Sequence, residues 1–553
     1  MSADGDLRAD EHRSSSLLSR FRSSSLALRL AVGAFVGVEV YAFVLWLSIG
    51  RYQWFYADEW DFLSLRTGGN LGDLFRPHHG HWTTVPILIY RLLYALVGLR
   101  VFLPYRLVVL VLYLAASALL FVVMLRAAVH PWIAAAAASL FALYGAGADN
   151  IINPFQVTFT GALVSGLAFL LLTDRDGPLA RRDLFGLLAG LIGLMMSGVG
   201  VAMVLVTGIA VTLRRGWRIA ASLVAPLAAV YLVWFAIIGH QSGVTQARSP
   251  ARIVTFVSDG FRGGFGRMGP FAWFGVLLMA MLVVGFPLAF RQRSPKNLGP
   301  LAAPFALLCG AVLLLVLVES DHGAVLASGS ATTARLPRYL SLVAALSLPA
   351  VAVAADAFAR VWRWLLPIAI AMFLVGVPQN LSTARHFERI KRPLFAGTQL
   401  AVETVARDPR ARAVPPTLHP LWITAPDLTA GWLVGALAHH KIPPPRALTP
   451  TLLAEADFRL SFYQTATSAT DEGCPTLTRP MVIAFARDEV IRVYGNALLL
   501  VPASHLPVWP GMVFDPAEGN SIRATRHVGR VVLIPYHQRR PPRVCVGRRG
   551  ASG

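Results

Sequence analysis

The sequence predicts an all-α polytopic membrane bundle of about eleven crossing helices, carrying a C-terminal α/β or β-rich domain. Three observations predict it. Hydrophobic residues make up 55% of the 553 residues and charged residues only 14%, at a mean hydropathy of +0.57. Apolar runs alternate with short Arg-bearing loops over the first two-thirds, and the composition changes near residue 379. Soluble domains carry roughly a quarter charged residues, so a chain this long and this apolar needs a bilayer as solvent. The net charge of +21 would suit a nucleic-acid partner, but the basic residues sit between apolar runs, as membrane topology requires, which argues against one.

The apolar runs cover 30–49, 105–125, 132–148, 157–173, 184–197, 199–213, 219–239, 270–290, 300–318, 339–358 and 362–378. Basic clusters fall in the N-terminal tail, at Arg126, at Arg175/Arg181/Arg182, at Arg214/Arg215/Arg218, at Arg291/Arg293/Lys296 and at Arg360/Arg363. The positive-inside rule places them all in the cytoplasm. That requires two things. The run 83–99, with Thr83, Thr84, Pro86 and Arg91, lies along the interface and does not cross. The stretch 184–213 crosses twice, broken near Ser197-Gly198-Val199-Gly200, because one helix there would put Arg182 and Arg214 on opposite sides. The N-terminus is then inside and the C-terminus outside. Residues 1–29 read as a disordered cytoplasmic tail, 30–378 as the transmembrane domain and 379–553 as an extracytoplasmic domain. Four segments face outward: 50–104, 149–156, 240–269 and 319–338.

From residue 379 the chain turns Pro-rich and strand-like, as at Met481 to Phe485, Val490 to Val501 and Val531 to Pro535. It carries 19 Arg and 2 Lys against 12 acidic residues. Cys474 and Cys545 both lie here and are expected to pair if the region is outside the cytoplasm, whereas Cys309 lies in an apolar run and reads as packing.

Polar residues concentrate in the outward segments. Tyr56-Ala57-Asp58-Glu59-Trp60-Asp61-Phe62 sets three carboxylates within four residues, suited either to general-base work on an alcohol or to offsetting a helix dipole. In Arg76-Pro77-His78-His79-Gly80-His81-Trp82, the imidazoles suit either a divalent metal or phosphate, or simply an interfacial polar turn. Trp54, Trp60 and Trp82 read as belt aromatics or as platforms for sugar faces. Asp149, Asn150, Asn153 and Gln156 offer hydrogen bonds to a polyhydroxylated ligand, or helix caps. Glu319, Asp321 and His322 precede Arg335 and Arg338, two outward arginines that break the positive-inside pattern and suit either a phosphate or interfacial anchoring.

The order of these pieces resembles the GT-C superfamily of polyprenyl-phosphate-sugar-dependent glycosyltransferases, which includes aminoarabinose, mannosyl and arabinosyl transferases. The matching pieces are Asp58-Glu59, His81 to Gly98, Tyr105-Arg106-Leu107, Asp149 to Gln156, Ser197 to Gly200 with Pro226 to Trp234, and Arg335 to Tyr339. They are short, and they span about 30–380; uncharacterised bacterial members are the most similar in kind. The resemblance implies a transferase of a bacterial plasma membrane, moving a sugar from a polyprenyl phosphate to an extracytoplasmic glycan or lipid acceptor with inversion. It implies Asp58 as base supported by Glu59, with Asp149 as the second acidic position. His79 and His81 stand where some members hold a metal or phosphate, so a divalent ion is a candidate cofactor. Asn150, Gln156, His322, Arg335 and Arg338 are the expected substrate contacts, and Asp58, His81 and Arg335 are expected to face one outer cavity. The chain departs from the aminoarabinose transferases in having His-Gly-His-Trp where they have Lys-Pro-Pro, so donor contacts are not transferable from them. A transporter or flippase for lipid-linked sugars, and a non-catalytic envelope-assembly partner, are the rival readings.

Overall fold

The computed structural model of the protein describes residues 26–66, 70–242, 250–293, 298–322, 333–421, 424–444, 449–464, 474–486, 489–502, 511–514, 521–525, 528–535 and 541–548. The expected N-terminal tail lies almost wholly outside the described residues. The chain divides into two compact units. The first comprises Met1–Arg51, Leu71–Leu88 and Tyr105–Ile390, and the second Tyr52–Asn70, Ile89–Pro104 and Lys391–Gly553. The change of composition at 379 therefore precedes the change of unit, because helix Val377–Val405 runs through both points.

In chain order the α-helices of nine or more residues are α1 (Leu26–Ile49), α2 (Thr84–Val97), α3 (Leu103–Arg126), α4 (Pro131–Ala142), α5 (Val157–Thr173), α6 (Arg181–Leu194), α7 (Val199–Arg215), α8 (Trp217–Ile237), α9 (Pro250–Met268), α10 (Phe274–Arg291), α11 (Ala302–His322), α12 (Pro337–Val361), α13 (Leu365–Leu374), α14 (Val377–Val405), α15 (Ala430–Ala438) and α16 (Pro450–Ser461). Eight helical segments among the described residues are long and apolar enough to cross a membrane. The other expected crossings fall on α4, α6 and α7, of 12, 14 and 17 residues. Apolar side chains stay exposed on the long helices, among them Val40 and Val44 on α1, Leu232 and Ile237 on α8, and Val283 on α10. Such faces need hydrocarbon around them. By contrast α12 is buried along nearly its whole length and forms the axis of the first unit.

The chain reverses between α6 and α7. The helix stops at Leu194 and restarts at Val199, and the backbones pack so closely that a Cβ on Gly200 would stand 2.2 Å from the Gly193 carbonyl oxygen. The consequence is visible at the far ends of these helices. Asp183, on the first turn of α6, pairs with Arg215, on the last turn of α7, at 2.8 Å, and with Arg175 at 2.6 Å. Arg214 reaches Asp174 at 3.2 Å and Asp176 at 3.0 Å. The two basic clusters thus meet at one end of the unit, as expected of a double passage. Other loops join them there: Arg126 donates to the Leu171 carbonyl, Arg293 to that of Ala127 at 2.7 Å, and Arg360 to that of Ala128.

Buried polar groups lock the remaining junctions. Arg106 of α3 donates to the Leu47 carbonyl at 2.8 Å, satisfying the C-terminal end of α1. Gly50 leaves room for that guanidinium, since a Cβ there would lie 2.9 Å from it. Asn380 accepts from the Ala146 amide and donates to the Arg267 carbonyl, joining the break after α4 to the end of α9.

In the second unit, helices give way at Phe462 to eight strands: β1 (Phe462–Gln464), β2 (Met481–Phe485), β3 (Glu489–Tyr494), β4 (Ala497–Leu500), β5 (Gly511–Phe514), β6 (Ser521–Ala524), β7 (Gly529–Pro535) and β8 (Arg543–Arg548). They form two antiparallel sheets, ordered β1-β6-β3-β8 and β2-β7-β4-β5. Phe462, Ile491, Val493, Ile522 and Val544 of one sheet share a core with Phe485, Leu499, Val531 and Leu533 of the other. The expected strand from Val490 to Val501 is two strands in different sheets, with Gly495 at φ 113° making the corner. The Cys474–Cys545 disulfide, with Cα atoms 4.5 Å apart, staples the segment before β2 onto β8. There the Leu477 amide also donates to the Pro542 carbonyl at 2.7 Å.

The reversal makes a direct prediction. Gly200→Ala should destabilise the chain by about 1–3 kcal/mol through overpacking, whereas Gly37→Ala on α1, with nothing within 4 Å, should be silent. Thermal unfolding of the detergent-purified protein, followed by size-exclusion, compares the two.

Candidate functional site

The second unit holds the acidic turn. Trp54, Phe55 and Trp60 are buried and pack against one another with centroids 5.2–5.9 Å apart. Phe102 adds to the cluster at 4.8 Å from Phe55, and Trp432 of α15 at 6.1 Å from Trp60. Trp54 and Trp60 are therefore core residues, neither belt aromatics nor sugar platforms. Their packing presses the chain into a sharp turn, with Ala57 at φ 50° and its amide donating to the Thr424 carbonyl at 2.8 Å. An L-residue adopts that conformation at a cost the surrounding contacts must offset.

The turn gives its three carboxylates three different environments. Asp61 is buried and paired with buried Arg66 at 2.8 Å. Glu59, 1% exposed, accepts from the Tyr90 hydroxyl at 2.7 Å and from the Tyr56 amide at 2.9 Å. Burial pushes the Glu59 carboxyl up to about 8; the Tyr90 and Tyr56 hydrogen bonds oppose this and the Asp58 charge adds to it. Asp58 alone is half-exposed. Of the two residues expected to be catalytic, Glu59 is buried and holds the turn together, and Asp58 is the part-exposed one.

The first unit holds the histidines. His78 and His81 exchange backbone hydrogen bonds of 3.0 and 2.9 Å across a two-residue turn, with His79 at φ 46° and Gly80 at φ 83°. These are the signs of a type I′ turn. The His78 and His79 rings touch at 4.4 Å, edge to face. His79 and His81, the expected pair, stand on either side of Gly80 in this turn. Trp82 stacks on Trp234 of α8 at 5.2 Å and donates to Thr84 at 2.7 Å, so it too is packing. The His81 ring lies against Gly198 in the α6–α7 reversal, where a Cβ would come within 3.0 Å of it. His81, Gly198, Tyr231, Ser320 and Tyr339 line a half-open cavity of about 290 Å3, whose other walls are apolar, including Leu314, Leu317, Val318 and Leu342.

Arg335 lines a different cavity of the first unit, of about 650 Å3, and pairs with Asp259 of α9 at 2.9 Å. His81 and Arg335, expected to face one cavity, line two different ones: Tyr339 and Leu342 near the start of α12 line the first and Leu340 the second. Arg338 lies half-buried over the Tyr339 ring at 5.3 Å. Asn150 is buried and donates to the Arg338 carbonyl at 2.9 Å, so it tethers α12. Gln156 is also buried, 3% exposed. Asp149 is half-exposed and accepts from Asn153 at 3.2 Å. The His322 side chain lies outside the described residues. Sequence reasoning missed Tyr90, Asp259, Arg262 and Arg267. The last three stand in segment 240–269, which the sequence reading expects to face outward.

Glu59 makes the chain pH-sensitive. Its folded value lies above the ordinary 4.5, so its stabilising contribution is full below about pH 4.5 and is lost as pH rises through about 8. The melting temperature should fall between about pH 5 and about pH 9 in the wild type and much less in Glu59→Gln, which keeps a neutral acceptor for Tyr90. Equal slopes in both proteins would refute the assignment. No protein-family model, curated protein or solved structure matches the chain, so its functional reading rests on these residues and their geometry.

Proposed function

We propose that the protein is an inverting membrane glycosyltransferase that takes a sugar from a polyprenyl phosphate and passes it to a hydroxyl of an extracytoplasmic glycan or lipid. The observation that carries this reading is the sorting of the acidic turn. Asp61 is buried and paired with Arg66, Glu59 is buried against Tyr90, and Asp58 is the part-exposed carboxylate of the three. Asp58 takes the acceptor hydroxyl proton. The freed oxygen attacks the anomeric carbon, the bond from that carbon to the phosphate oxygen breaks, and polyprenyl phosphate leaves as an anion. Phosphate is a good leaving group, so the protein has mainly to position reactants and supply the base.

The apolar cavity beside His81 supports a lipid-linked donor, because it offers hydrocarbon-lined space with a few polar groups at its mouth. It lies at the Gly198 end of α7, remote from the basic end at Arg215. By the positive-inside rule the basic end is cytoplasmic and the cavity end is not. Reading α4, α6 and α7 as short crossings gives eleven passages, with the N-terminus inside. The Cys474–Cys545 disulfide suits a C-terminal domain in an oxidising compartment of a bacterial envelope. His78 and His79 are the pair that would hold a divalent ion if the reaction uses one.

Two substitutions test the reading in membranes supplied with a labelled polyprenyl-phosphate sugar. Asp58→Asn should lower transfer by about 100-fold or more with donor binding unchanged. Gly198→Val, which drives a side chain into the His81 ring and the cavity mouth, should instead weaken donor binding. Full transfer by Asp58→Asn defeats the base assignment and favours a transporter or a non-catalytic partner.

A further inference from the structure

The larger cavity of the first unit, of about 650 Å3, is lined by three arginines, Arg262 and Arg267 from α9 and Arg335 from the turn before α12. Close backbone approaches build it. A Cβ on Gly275 would lie 2.5 Å from the Gly266 amide, and one on Gly376 2.0 Å from the Met268 carbonyl oxygen. A Cβ on Gly263 would meet the Arg335 stem at 3.1 Å, so glycine at that position lets Arg335 lie across α9. Asp259 pairs with Arg335 at 2.9 Å. Among the described residues no carboxylate pairs with Arg262 or Arg267, and both are exposed. Three guanidiniums against one carboxylate leave two positive charges in excess, at the end of the bundle opposite the basic loops. A positive excess at that end runs against the topology rule and calls for an anion.

The mouth of the cavity says what kind of anion. Phe271 and Trp273 stand there 57% and 65% exposed, stacked with centroids 5.5 Å apart. Val276, also lining the cavity, is 61% exposed and begins an exposed apolar face of α10 that continues through Leu277, Val283 and Val284. Guanidinium forks, then interfacial aromatics, then hydrocarbon-facing valines follow the profile of a phospholipid from head to tail. We propose that this cavity binds the dianionic phosphate head of a membrane lipid, with its acyl chains laid along α10. This is a second lipid site, apart from the cavity beside His81, and it does not depend on the transfer reaction. Inorganic phosphate shares the head chemistry, but it would leave the aromatic and apolar rim unused.

Native mass spectrometry of the full-length, detergent-purified protein titrated with phosphatidate, phosphatidylglycerol, phosphatidylcholine and inorganic phosphate tests the proposal. Binding should fall in the order phosphatidate, phosphatidylglycerol, phosphatidylcholine. Inorganic phosphate equimolar with the lipid should not displace phosphatidate. Arg262→Gln/Arg267→Gln should weaken phosphatidate about tenfold, and Arg267→Gln alone about threefold, while the paired Lys variant keeps the headgroup order. Unchanged phosphatidate binding in either Gln variant that elutes as the wild type does would overturn the site. Displacement by equimolar inorganic phosphate would also overturn it, because the ligand would then be a free anion. Equal binding of all three lipids leaves only adsorption to apolar helices and refutes it as well.

Discussion

The backbone contact between Gly193 and Gly200 governs the first unit. Two helices of 14 and 17 residues, about 21 and 26 Å long at the usual rise, replace one long helix. In an apolar medium, backbone freed from a helix must be satisfied by protein. Here the break is short enough that its amides bond locally: Met196 to Gly193, Gly200 to Ser197 and Val201 to Gly198. Only residues without a Cβ let the strands of the turn close to this distance, which is why a Ser-Gly-Val-Gly sequence stands here. Once the chain has turned, Asp183 and Arg215 meet at one end, and Gly198 is presented to His81 at the other.

The two ends of the bundle carry charge in different ways. At the basic end, Asp174, Asp176 and Asp183 sit among Arg175, Arg214 and Arg215, so the loops are tied by ion pairs as well as signed by their charge. Arg126, Arg293 and Arg360 spend their donors on carbonyls that neighbouring helix and loop ends leave open. These arginines are structural ties. At the opposite end Arg335 has one partner, and Arg262 and Arg267 face an open cavity with no described carboxylate. Arginine of that second kind is conspicuous because no described carboxylate pairs with it.

How much of this was legible depends on the range of the interaction. The reversal in 184–213 was legible because both signals are local: a Gly-rich break, and arginines whose side of the membrane forbids a single crossing. Segment 83–99, expected to lie along the interface, is helix α2, and its apolar run made it legible as a helix. The ranking of the three carboxylates was not legible. Their spacing does not rank them, and their difference comes from Tyr90, 31 positions away from Glu59, and from the buried Arg66. Trp54 and Trp60 misled because a tryptophan near a membrane end has the same sequence whether it meets lipid, sugar or Trp432. His81 and Arg335 were expected together because both are outward. Their separation arises from the path of a single helical turn after Pro337. The strands of the C-terminal region were legible one at a time, but Gly495 diverts the chain between sheets, and pairing order is a non-local property.

The burial of Glu59 also bears on what Asp58 can do. Two ionised carboxylates at adjacent positions repel, and each makes the other harder to ionise. With the Glu59 carboxyl pushed up to about 8, it is mostly protonated at neutral pH, and Asp58 then has no second negative charge beside it. Tyr90 and the Tyr56 amide hold the neutral acid in place, so the turn keeps its shape without needing that charge. On the proposed reading, Glu59 serves Asp58 twice: it fixes the backbone there, and it removes a competitor for the proton. The arrangement stands on burial, which depends on the aromatic packing around the turn. The same Trp and Phe side chains that carry no chemistry of their own thereby decide which of three carboxylates is available for it.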